Sequence, residues 1–316
     1  MNRPPTSTRL LTISARVARH GLIGAECRSL TGGVPDETGV ATATSVGAVE
    51  RAAFVQQGLR IVATGASFDA LVGAVGAARF EADRFRIDVH DPTDRSTVGN
   101  TAVAIALADV VPFGPDLKSP VHRFVVIPGG PEWVFAEIIS TTDAGYRRHD
   151  GKPWTTSSSL DSRFARGLVN LVPDARSVLD PCCGAGSIVL EAASLGLDAR
   201  GVDWKPAMVG MTTENLAHFD YSARIDKADS RTNEFDAVDA VVTDLPYGHA
   251  IDADEPTIRA ILANCARSAP RGVFVAPSDF SLWLSAAGYT DIEVVTVLKR
   301  RGFTRWIHQA RSTLVS

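Results

Sequence analysis

The chain has 316 residues, of which 45% are hydrophobic and 22% charged; this suits a globular protein of about two domains and argues against a disordered one. No stretch approaches the roughly 20 apolar residues of a membrane helix, and residues 1–9 lack the apolar core of a signal peptide, so we expect a soluble cytoplasmic protein without membrane contact. The formal net charge of −4 argues against a uniformly basic nucleic-acid binder, although an average can hide a local patch.

Short strands and helices alternate over the first 145 residues. The predicted strands lie at 10–15, 39–45, 85–90, 124–127 and 133–139, and the predicted helices at 67–78 and 100–110. Two small α+β units account for this order. We therefore predict an N-terminal α+β region over residues 1–145.

The next segment, residues 141–159, is polar and rich in Gly, Pro, Thr and Ser, which indicates a linker or a lid rather than packed structure. A helix follows, with apolar residues at positions 160, 164, 168 and 171. We assign residues 146–175 to this linker and leading helix.

From residue 176 the alternation becomes regular, with predicted strands ending at residues 180, 203, 228, 244 and 276 and helices between most of them. This order is typical of a doubly wound parallel sheet, so the predicted fold class is α/β, over residues 176–316. The last two predicted strands, 291–298 and 303–309, are joined by a hairpin-length turn. The final strand should therefore run antiparallel to its predecessor.

The first predicted strand of this sheet ends at Asp180 and is followed by a loop with Gly184 and Gly186. Glycine allows a backbone to approach a ligand closely and to adopt positive φ, and ligands bind at this edge of α/β sheets. Asp203, at the end of the next strand, suits a carboxylate that accepts ribose hydroxyls. Asp229, after the third strand, is placed to accept adenine amino hydrogens.

Asp180 itself suits a ligand that carries an ammonium group, so the loop predicts a site for S-adenosylmethionine. Each of the three aspartates could instead be a loop acid or a helix cap. A nicotinamide site would need a third glycine that this loop lacks, which makes hydride transfer a minor alternative.

A second loop, Asp244-Leu245-Pro246-Tyr247-Gly248, begins 64 positions after Asp180 and also follows an apolar run. An amine conjugated to an aromatic base is a poor nucleophile because its lone pair is delocalised. A carboxylate oxygen of Asp244 and a backbone carbonyl near Leu245 or Pro246 can accept the two amine hydrogens, proline fixes the loop, and Tyr247 can stack on the base. The alternative is an ordinary turn, since Asp, Pro and Gly are turn residues.

Two clusters of basic residues are candidate phosphate contacts, unless they are simply solvated faces. The members are Arg147, Arg148, Lys152, Arg163 and Arg166 in the first, and Lys299, Arg300, Arg301, Arg305 and Arg311 in the second. Four cysteines show no metal-site spacing, and adjacent Cys182 and Cys183 cannot readily bridge, so we expect reduced thiols and no metal.

With both loops in view, the chain resembles the THUMP-domain RNA methyltransferases, specifically the archaeal and eukaryotic tRNA guanosine-N2 enzymes. The motifs that carry the resemblance lie between about residues 140 and 310: Asp180-Pro181-x-Cys183-Gly184-x-Gly186 with Glu191-Ala192, Gly201-Val202-Asp203, Asn215-Leu216 and Asp244-x-Pro246-Tyr247-Gly248. Two positions depart from the family pattern: Leu245 stands where a second proline is usual, and Thr155-Thr156 replaces a His-Pro pair.

The resemblance implies a Rossmann-like class I methyltransferase, mostly parallel with an antiparallel last strand, behind a ferredoxin-like and THUMP-like RNA-binding region. It implies transfer of a methyl group from S-adenosylmethionine to the N2 amino group of a guanosine flipped out of tRNA. It further implies a monomer or weak dimer and, as an optional partner, a small activator protein. The implied cofactor residues are Asp180, Cys183, Gly184, Gly186, Asp203 and Asp229; the implied catalytic residues are Asp244, Pro246 and Tyr247; the implied RNA contacts are Arg147, Arg148, Lys299, Arg300, Arg301 and Arg305.

Two other functions stay open. A DNA adenine-N6 methyltransferase shares the acceptor loop but normally needs a sequence-reading domain, and none is evident here. A non-catalytic RNA-binding subunit could keep the fold, although the intact loop from Asp244 to Tyr247 argues against it.

Overall fold

The structure is a computed structural model that describes residues 9–94, 96, 98–129, 132–246 and 254–315. The strands in chain order are β1 (Leu10–Ser14), β2 (Val40–Ala43), β3 (Val55–Gly65), β4 (Phe85–Val89), β5 (His122–Ile127), β6 (Trp133–Thr141), β7 (Ser177–Asp180), β8 (Asp198–Asp203), β9 (Arg224–Lys227), β10 (Ala240–Asp244), β11 (Arg271–Ala276), β12 (Tyr289–Arg300) and β13 (Phe303–Ser312). The α-helices are α1 (Gly21–Thr31), α2 (Phe68–Ala77), α3 (Asn100–Ala108), α4 (Ser162–Val169), α5 (Ser187–Ser194), α6 (Pro206–His218), α7 (Glu255–Ala266) and α8 (Ser281–Ala286). Short 3₁₀ helices span Val49–Arg51 and Ala144–Gly151. Within the described ranges, none of the helices combines the length and apolar character needed to cross a bilayer.

Two compact units divide the chain. The first contains the segment that ends at Arg16, together with Thr31–Glu50 and Val55–Thr142. The second contains Val17–Leu30, Arg51–Phe54 and the chain from Asp143 onward. Most of α1 thus lies in the second unit, which the change of sequence pattern near residue 145 did not indicate.

The first unit is built on a six-stranded sheet in the order β2-β1-β3-β6-β5-β4. β4 and β5 are parallel, and the other neighbours are antiparallel. The expectation of two small α+β units was wrong, because β3 pairs with both β1 and β6 and joins the strands into one sheet. The sequence of β3 mixes glutamine and glycine with its apolar residues, so it lacks a clear strand pattern.

An aromatic cluster forms one of the hydrophobic cores of the first unit, beside a second, aliphatic cluster. Phe85, Phe124 and Phe135 are fully buried, and the rings of Phe124 and Phe135 stack with their centroids 4.9 Å apart. Leu71 of α2 and Leu107 of α3 complete this core and are also fully buried. Burial of such side chains is worth about 1.5–3 kcal/mol each, which holds both helices on the sheet.

The second unit is built on a seven-stranded sheet in the order β12-β13-β11-β10-β7-β8-β9. Strands β9, β8, β7, β10 and β11 pair in parallel, whereas β13 is antiparallel to both β11 and β12. The predicted doubly wound sheet with an antiparallel last strand is therefore confirmed. Because β7 and β10 are adjacent and parallel, the loops that follow Asp180 and Asp244 leave the same edge of the sheet.

Helix α4 packs within the second unit against α1. Asp161 caps α4 by accepting a hydrogen bond from the backbone N–H of Phe164 at 2.8 Å. A Cβ on Gly167 would lie 2.7 Å from Cε2 of Phe54 and 3.0 Å from Cδ2 of Leu22, so glycine permits this close approach. The residue is therefore selected by packing rather than by backbone conformation.

The segment expected to be a linker or a lid is packed over its first half. Residues Ala144–Gly151 form a 3₁₀ helix in which Tyr146 and His149 are buried. His149 Nδ1 lies 2.7 Å from Glu191 Oε1, and Arg166 Nε donates to Glu191 Oε2 at 2.8 Å. Part of this polar segment is thus buried in a network of charged and polar side chains with α4 and α5. The composition of the segment did not indicate this burial.

Candidate active site

The loop between β7 and α5 forms a cradle lined by backbone. Gly184 and Gly186 have φ values of +54° and +81°, as expected of glycines at a tight strand-to-helix turn. The N–H of Gly186 donates to the carbonyl of Cys183 at 2.7 Å, and the N–H of Cys183 donates to Val202 at 2.9 Å. A Cβ on Gly186 would lie 2.5 Å from Cγ2 of Thr212, whereas one on Gly184 would meet nothing within 4 Å. Gly184 therefore borders open space, as a ligand cradle requires.

Asp203 lies beside this cradle at the end of β8. Its Oδ2 accepts a hydrogen bond from the backbone N–H of Gly184 at 3.1 Å, and its Oδ1 accepts one from the backbone N–H of Lys205 at 2.9 Å. The carboxylate is partly buried, so these two contacts fix its orientation while part of it stays accessible. This arrangement can present carboxylate oxygens to a pair of hydroxyl groups next to the loop.

Asp180 is buried at the end of β7, with 2% of its surface exposed. Its Oδ1 accepts hydrogen bonds from Thr243 Oγ1 at 2.7 Å and from the N–H of Cys182 at 3.1 Å. The pKa of this carboxyl is raised to about 7, mainly by burial and also by Asp244 and Asp203, although the two hydrogen bonds lower it. The alternative of a cap on α5 does not hold, because the residue at that N-cap is Gly186.

Asp244 ends β10 and Asp180 ends β7, so these parallel neighbours place the two residues at one edge of the sheet. The N–H of Leu245 donates to the carbonyl of Val275 at 3.1 Å, which anchors the start of the acceptor loop to β11. Leu245 is buried and Pro246 partly buried. The predicted base-stacking residue, Tyr247, lies outside the described residues.

Asp229 follows β9, and its carboxylate is engaged by Arg231. Arg231 Nη2 lies 2.6 Å from Asp229 Oδ2, and Arg231 Nε contacts both carboxylate oxygens at 2.9 and 3.0 Å. The hydrogen bonds from Arg231 lower the pKa of Asp229. An adenine amino group would have to share this carboxylate with the guanidinium.

Two buried polar residues of α6 support the glycine loop, a role that the sequence patterns did not indicate. Thr212 Oγ1 donates to the carbonyl of Gly184 at 2.7 Å. Asn215 Nδ2 donates to the carbonyls of Ala185 and Trp154 at 2.8 and 2.9 Å, and its Oδ1 accepts from the N–H of Trp154 at 2.9 Å. Thr212 and Asn215 lie on the same face of α6 as the buried Leu216. Because buried polar groups need hydrogen-bond partners, polar residues on an apolar helix face are a sequence signal for such a supporting role.

The basic residues divide into exposed and buried groups. Arg147, Lys299, Arg300 and Arg301 are exposed, the last three at the end of the β12–β13 hairpin. Arg148 is also exposed, and its Nη2 donates to Tyr221 Oη at 2.6 Å.

Three arginines and a lysine do not fit the expected role of surface phosphate contacts. Arg305 is 5% exposed, and its guanidinium lies 4.8 Å from the Phe164 ring centroid. Arg166 is buried in its ion pair, Lys152 is also buried, and the guanidinium of Arg163 lies over the Phe54 ring at 4.7 Å. Long aliphatic stems and planar guanidinium groups pack well against aromatic rings and in buried ion pairs. A run of basic residues in the sequence does not indicate which of them are buried in this way.

Partial desolvation and then Arg305 lower the pKa of Lys299, whereas Asp244 raises it. The charges of Lys299 and Asp244 are therefore near enough to interact.

Comparisons with known proteins show similarity to methyltransferases in the middle of the chain. Residues 148–277 match the family model described as "RMKL-like, methyltransferase domain". The tRNA (guanine(10)-N2)-dimethyltransferase of Pyrococcus abyssi is 32% identical over 143 residues, which are 42% of this chain and 44% of that protein. The enzyme of the same name from Methanothermobacter thermautotrophicus is 38% identical over 117 residues, 35% of this chain and 34% of that protein. This chain thus matches less than half the length of either relative.

Among solved structures, TrmN from Thermus thermophilus superimposes with a TM-score of 0.51 at 20% identity, over 96% of this chain and 99% of that one. At this identity the similarity shows the fold alone, and that fold is the one predicted. The methyltransferase part of the resemblance drawn from the motifs is confirmed over the matched stretch. Residues 148–277 of this chain are therefore similar to an RMKL-like methyltransferase domain, and the unit that contains them has the class I fold.

Proposed function

We propose that this chain transfers the methyl group of S-adenosylmethionine to the exocyclic N2 amino group of a guanosine in tRNA. The observation that carries the proposal is the 2.7 Å hydrogen bond between Thr243, one residue before Asp244, and Asp180 at the start of the glycine loop. It joins the candidate cofactor loop to the candidate acceptor loop. Relatives of the matched region that act on guanine N2 supply the acceptor class.

The residues present fit the cofactor. Asp180 is a buried carboxylate suited to an ammonium group, and the oriented carboxylate of Asp203 suits ribose hydroxyls. The open space at Gly184 and the positive φ angles of both glycines suit a ligand that lies against backbone. Cys183 would contribute through its backbone, since burial raises the pKa of its thiol. Asp229 would take the adenine amino group while paired with Arg231.

S-adenosylmethionine supplies an electrophilic methyl group on a sulfonium centre. Asp244 and a carbonyl of the acceptor loop would accept the two hydrogens of the guanine amine and so turn its lone pair toward that methyl group. Pro246 would fix the loop and Tyr247 would stack on the base. No strong base is needed, because alignment of donor and acceptor can lower such a barrier by roughly 7–11 kcal/mol.

Recognition of tRNA is assigned to the exposed basic residues and to the N-terminal region, residues 1–145. Arg147, Arg148, Lys299, Arg300 and Arg301 are exposed and available to phosphates. The role of the N-terminal region as a ferredoxin-like and THUMP-like RNA binder rests on the resemblance.

The test is mass spectrometry of nucleosides from tRNA incubated with the purified chain and labelled S-adenosylmethionine. We expect N2-methylated guanosine from the wild type and a loss of about 100-fold or more in Asp244→Ala, the usual effect of removing a group that positions the reacting atom. Cofactor affinity in that variant should stay within a few-fold of wild type. Asp198→Ala, an exposed aspartate at the amino end of β8, is the control and should keep full activity.

Other outcomes would redirect the assignment. Methyl incorporation into adenine of duplex DNA, and not into tRNA, would favour a DNA adenine-N6 methyltransferase. Cofactor binding without any transfer would favour a non-catalytic subunit, unless turnover appears after a small activator protein is added. Equal activity in Asp244→Ala would remove Asp244 from its assigned role.

A further inference from the structure

Thr243 is a polar residue in the most buried part of the second sheet. It has no exposed surface, and the three residues before it in β10 are the buried apolar side chains Ala240, Val241 and Val242. Valine would fill the same branched shape without the cost of a buried hydroxyl. The hydroxyl of Thr243 is satisfied by its 2.7 Å hydrogen bond to Asp180 Oδ1.

The surroundings of Asp180 oppose its negative charge. Among the residues that the structure describes, the titratable groups that face it are carboxyls and thiols: Asp244 on β10, Asp203 on β8, Cys182 and Cys183 in the loop, and Cys265 on α7. The two carboxyls repel the charge, and the thiols are neutral because burial raises their pKa values. Among the described residues, the groups that favour the charge are the Thr243 hydroxyl and the N–H of Cys182.

Both of these hydrogen bonds end on Oδ1 of Asp180. Oδ2 is therefore the oxygen available to a cation in the cradle. Since Oδ1 accepts one hydrogen bond from β10 and one from the glycine loop, its position is fixed with respect to both elements.

We propose that Thr243 is a positioning residue, whose hydroxyl orients Asp180 and stabilises its negative charge for recognition of the cofactor's ammonium group. The inference rests on the proposed function, because it takes S-adenosylmethionine as the ligand. It adds a residue outside the two loops that serves cofactor binding from the strand that carries Asp244.

A consequence for pH follows. The pKa of Asp180 is raised to about 7, so in the free protein the carboxylate is only partly ionised at neutral pH. Loss of a hydrogen bond to the charged form raises this pKa further, and one unit corresponds to a tenfold change in the ionisation constant. For a shift of one unit, the ionised fraction falls about tenfold at pH 6, about fivefold at pH 7 and less than about twofold at pH 8.

The experiment is calorimetric titration of S-adenosylmethionine into wild type, Thr243→Val and Thr243→Ser at pH 6, 7 and 8. We expect Thr243→Val to bind S-adenosylmethionine more weakly than wild type by about tenfold at pH 6, about fivefold at pH 7 and less than about twofold at pH 8. Thr243→Ser keeps the hydroxyl and should bind with the affinity of wild type. Titration of the ligand's own amine cancels in the ratio of variant to wild type. Thr213→Val, whose hydroxyl bonds the carbonyl of Val209 on α6, is the matched control.

A second ligand separates positioning from a structural effect. 5′-Methylthioadenosine lacks the ammonium group, so its affinity should be equal in wild type and Thr243→Val at every pH. An equal loss for both ligands, or a deficit that is independent of pH, would overturn the inference. Failure of the wild type to bind S-adenosylmethionine at all would instead overturn the proposed function.

Discussion

Gly186 allows a quantitative test of the cradle, because a matched glycine lies in the same unit. Gly186 has a φ of +81°, and an added Cβ would lie 2.5 Å from Cγ2 and 2.9 Å from Oγ1 of Thr212. Gly196, after α5, has a similar φ of +75° and nothing within 4 Å of an added Cβ. Alanine should therefore cost a similar amount of backbone strain at both positions, whereas a steric clash is added only at Gly186.

The magnitudes follow from these contacts. Left-handed backbone costs a residue with a Cβ about 1–2 kcal/mol, which is the whole effect expected for Gly196→Ala. Overpacking against Thr212 adds about 1–3 kcal/mol, so Gly186→Ala should lower the free energy of unfolding by about 2–5 kcal/mol. Thr212→Ala removes the two nearest atoms and leaves Cβ at 3.1 Å. In the Thr212→Ala variant, Gly186→Ala should therefore cost little more free energy of unfolding than Gly196→Ala does.

The assay is equilibrium unfolding in urea, followed by tryptophan fluorescence. Of the five tryptophans, Trp133 alone lies in the first unit, so the signal reports mainly on the second. The double-mutant cycle between Gly186→Ala and Thr212→Ala should give a coupling of about 1–3 kcal/mol. Equal costs for the two glycine substitutions, or no coupling to Thr212, would refute the steric argument.

Three further predictions concern charge. Glu191→Gln should lower the free energy of unfolding in urea by about 3–5 kcal/mol, because it leaves the Arg166 guanidinium buried without its partner carboxylate. Asp180→Asn should raise the free energy of unfolding. Between the ordinary pKa of an aspartate and about 7, Asp180 keeps a proton in the folded state that it has released in the unfolded state, so wild-type stability falls as pH rises. Asparagine does not titrate and therefore avoids this loss. The gain should be absent near pH 4 and reach at most about 4 kcal/mol above pH 7, measured by urea unfolding across pH. Arg300→Gln with Arg301→Gln should weaken tRNA binding and reduce the slope of log K against log salt by roughly 1–2 in titrations at several salt concentrations.

Two of the charge predictions have a control variant in the same unit, and the third is checked by its pH dependence. Glu255→Gln breaks an exposed pair with Arg259 and should cost less than about 1 kcal/mol; a similar cost for Glu191→Gln would contradict the buried network. A stability change in Asp180→Asn that does not vary with pH would contradict the linkage. Arg259→Gln with Arg267→Gln removes the same charge elsewhere, and an equal effect on tRNA binding would argue against a specific role of the hairpin.

Local pattern was sufficient for most of the second sheet. The strands that end at Asp180 and Asp244 are short apolar runs closed by a loop, and the turn at Gly302 separates two strands at hairpin distance. Parallel strands between helices place their loops at one edge, so the candidate site could also be located from the sequence. These features depend on residues that are close together along the chain.

Long-range contacts determined the rest. No local signal indicates that β3 would join the first unit into one sheet, that α1 would pack within the second, or that Arg166 and Arg305 would be buried. The hydrogen bond between Thr243 and Asp180 joins residues 63 positions apart. The sequence alone determined which chemical groups stand at the ends of the strands, because alternation and turn residues are local properties. Tertiary structure alone decided which of those groups are buried, paired or held in register, because burial and pairing depend on segments that are distant along the chain.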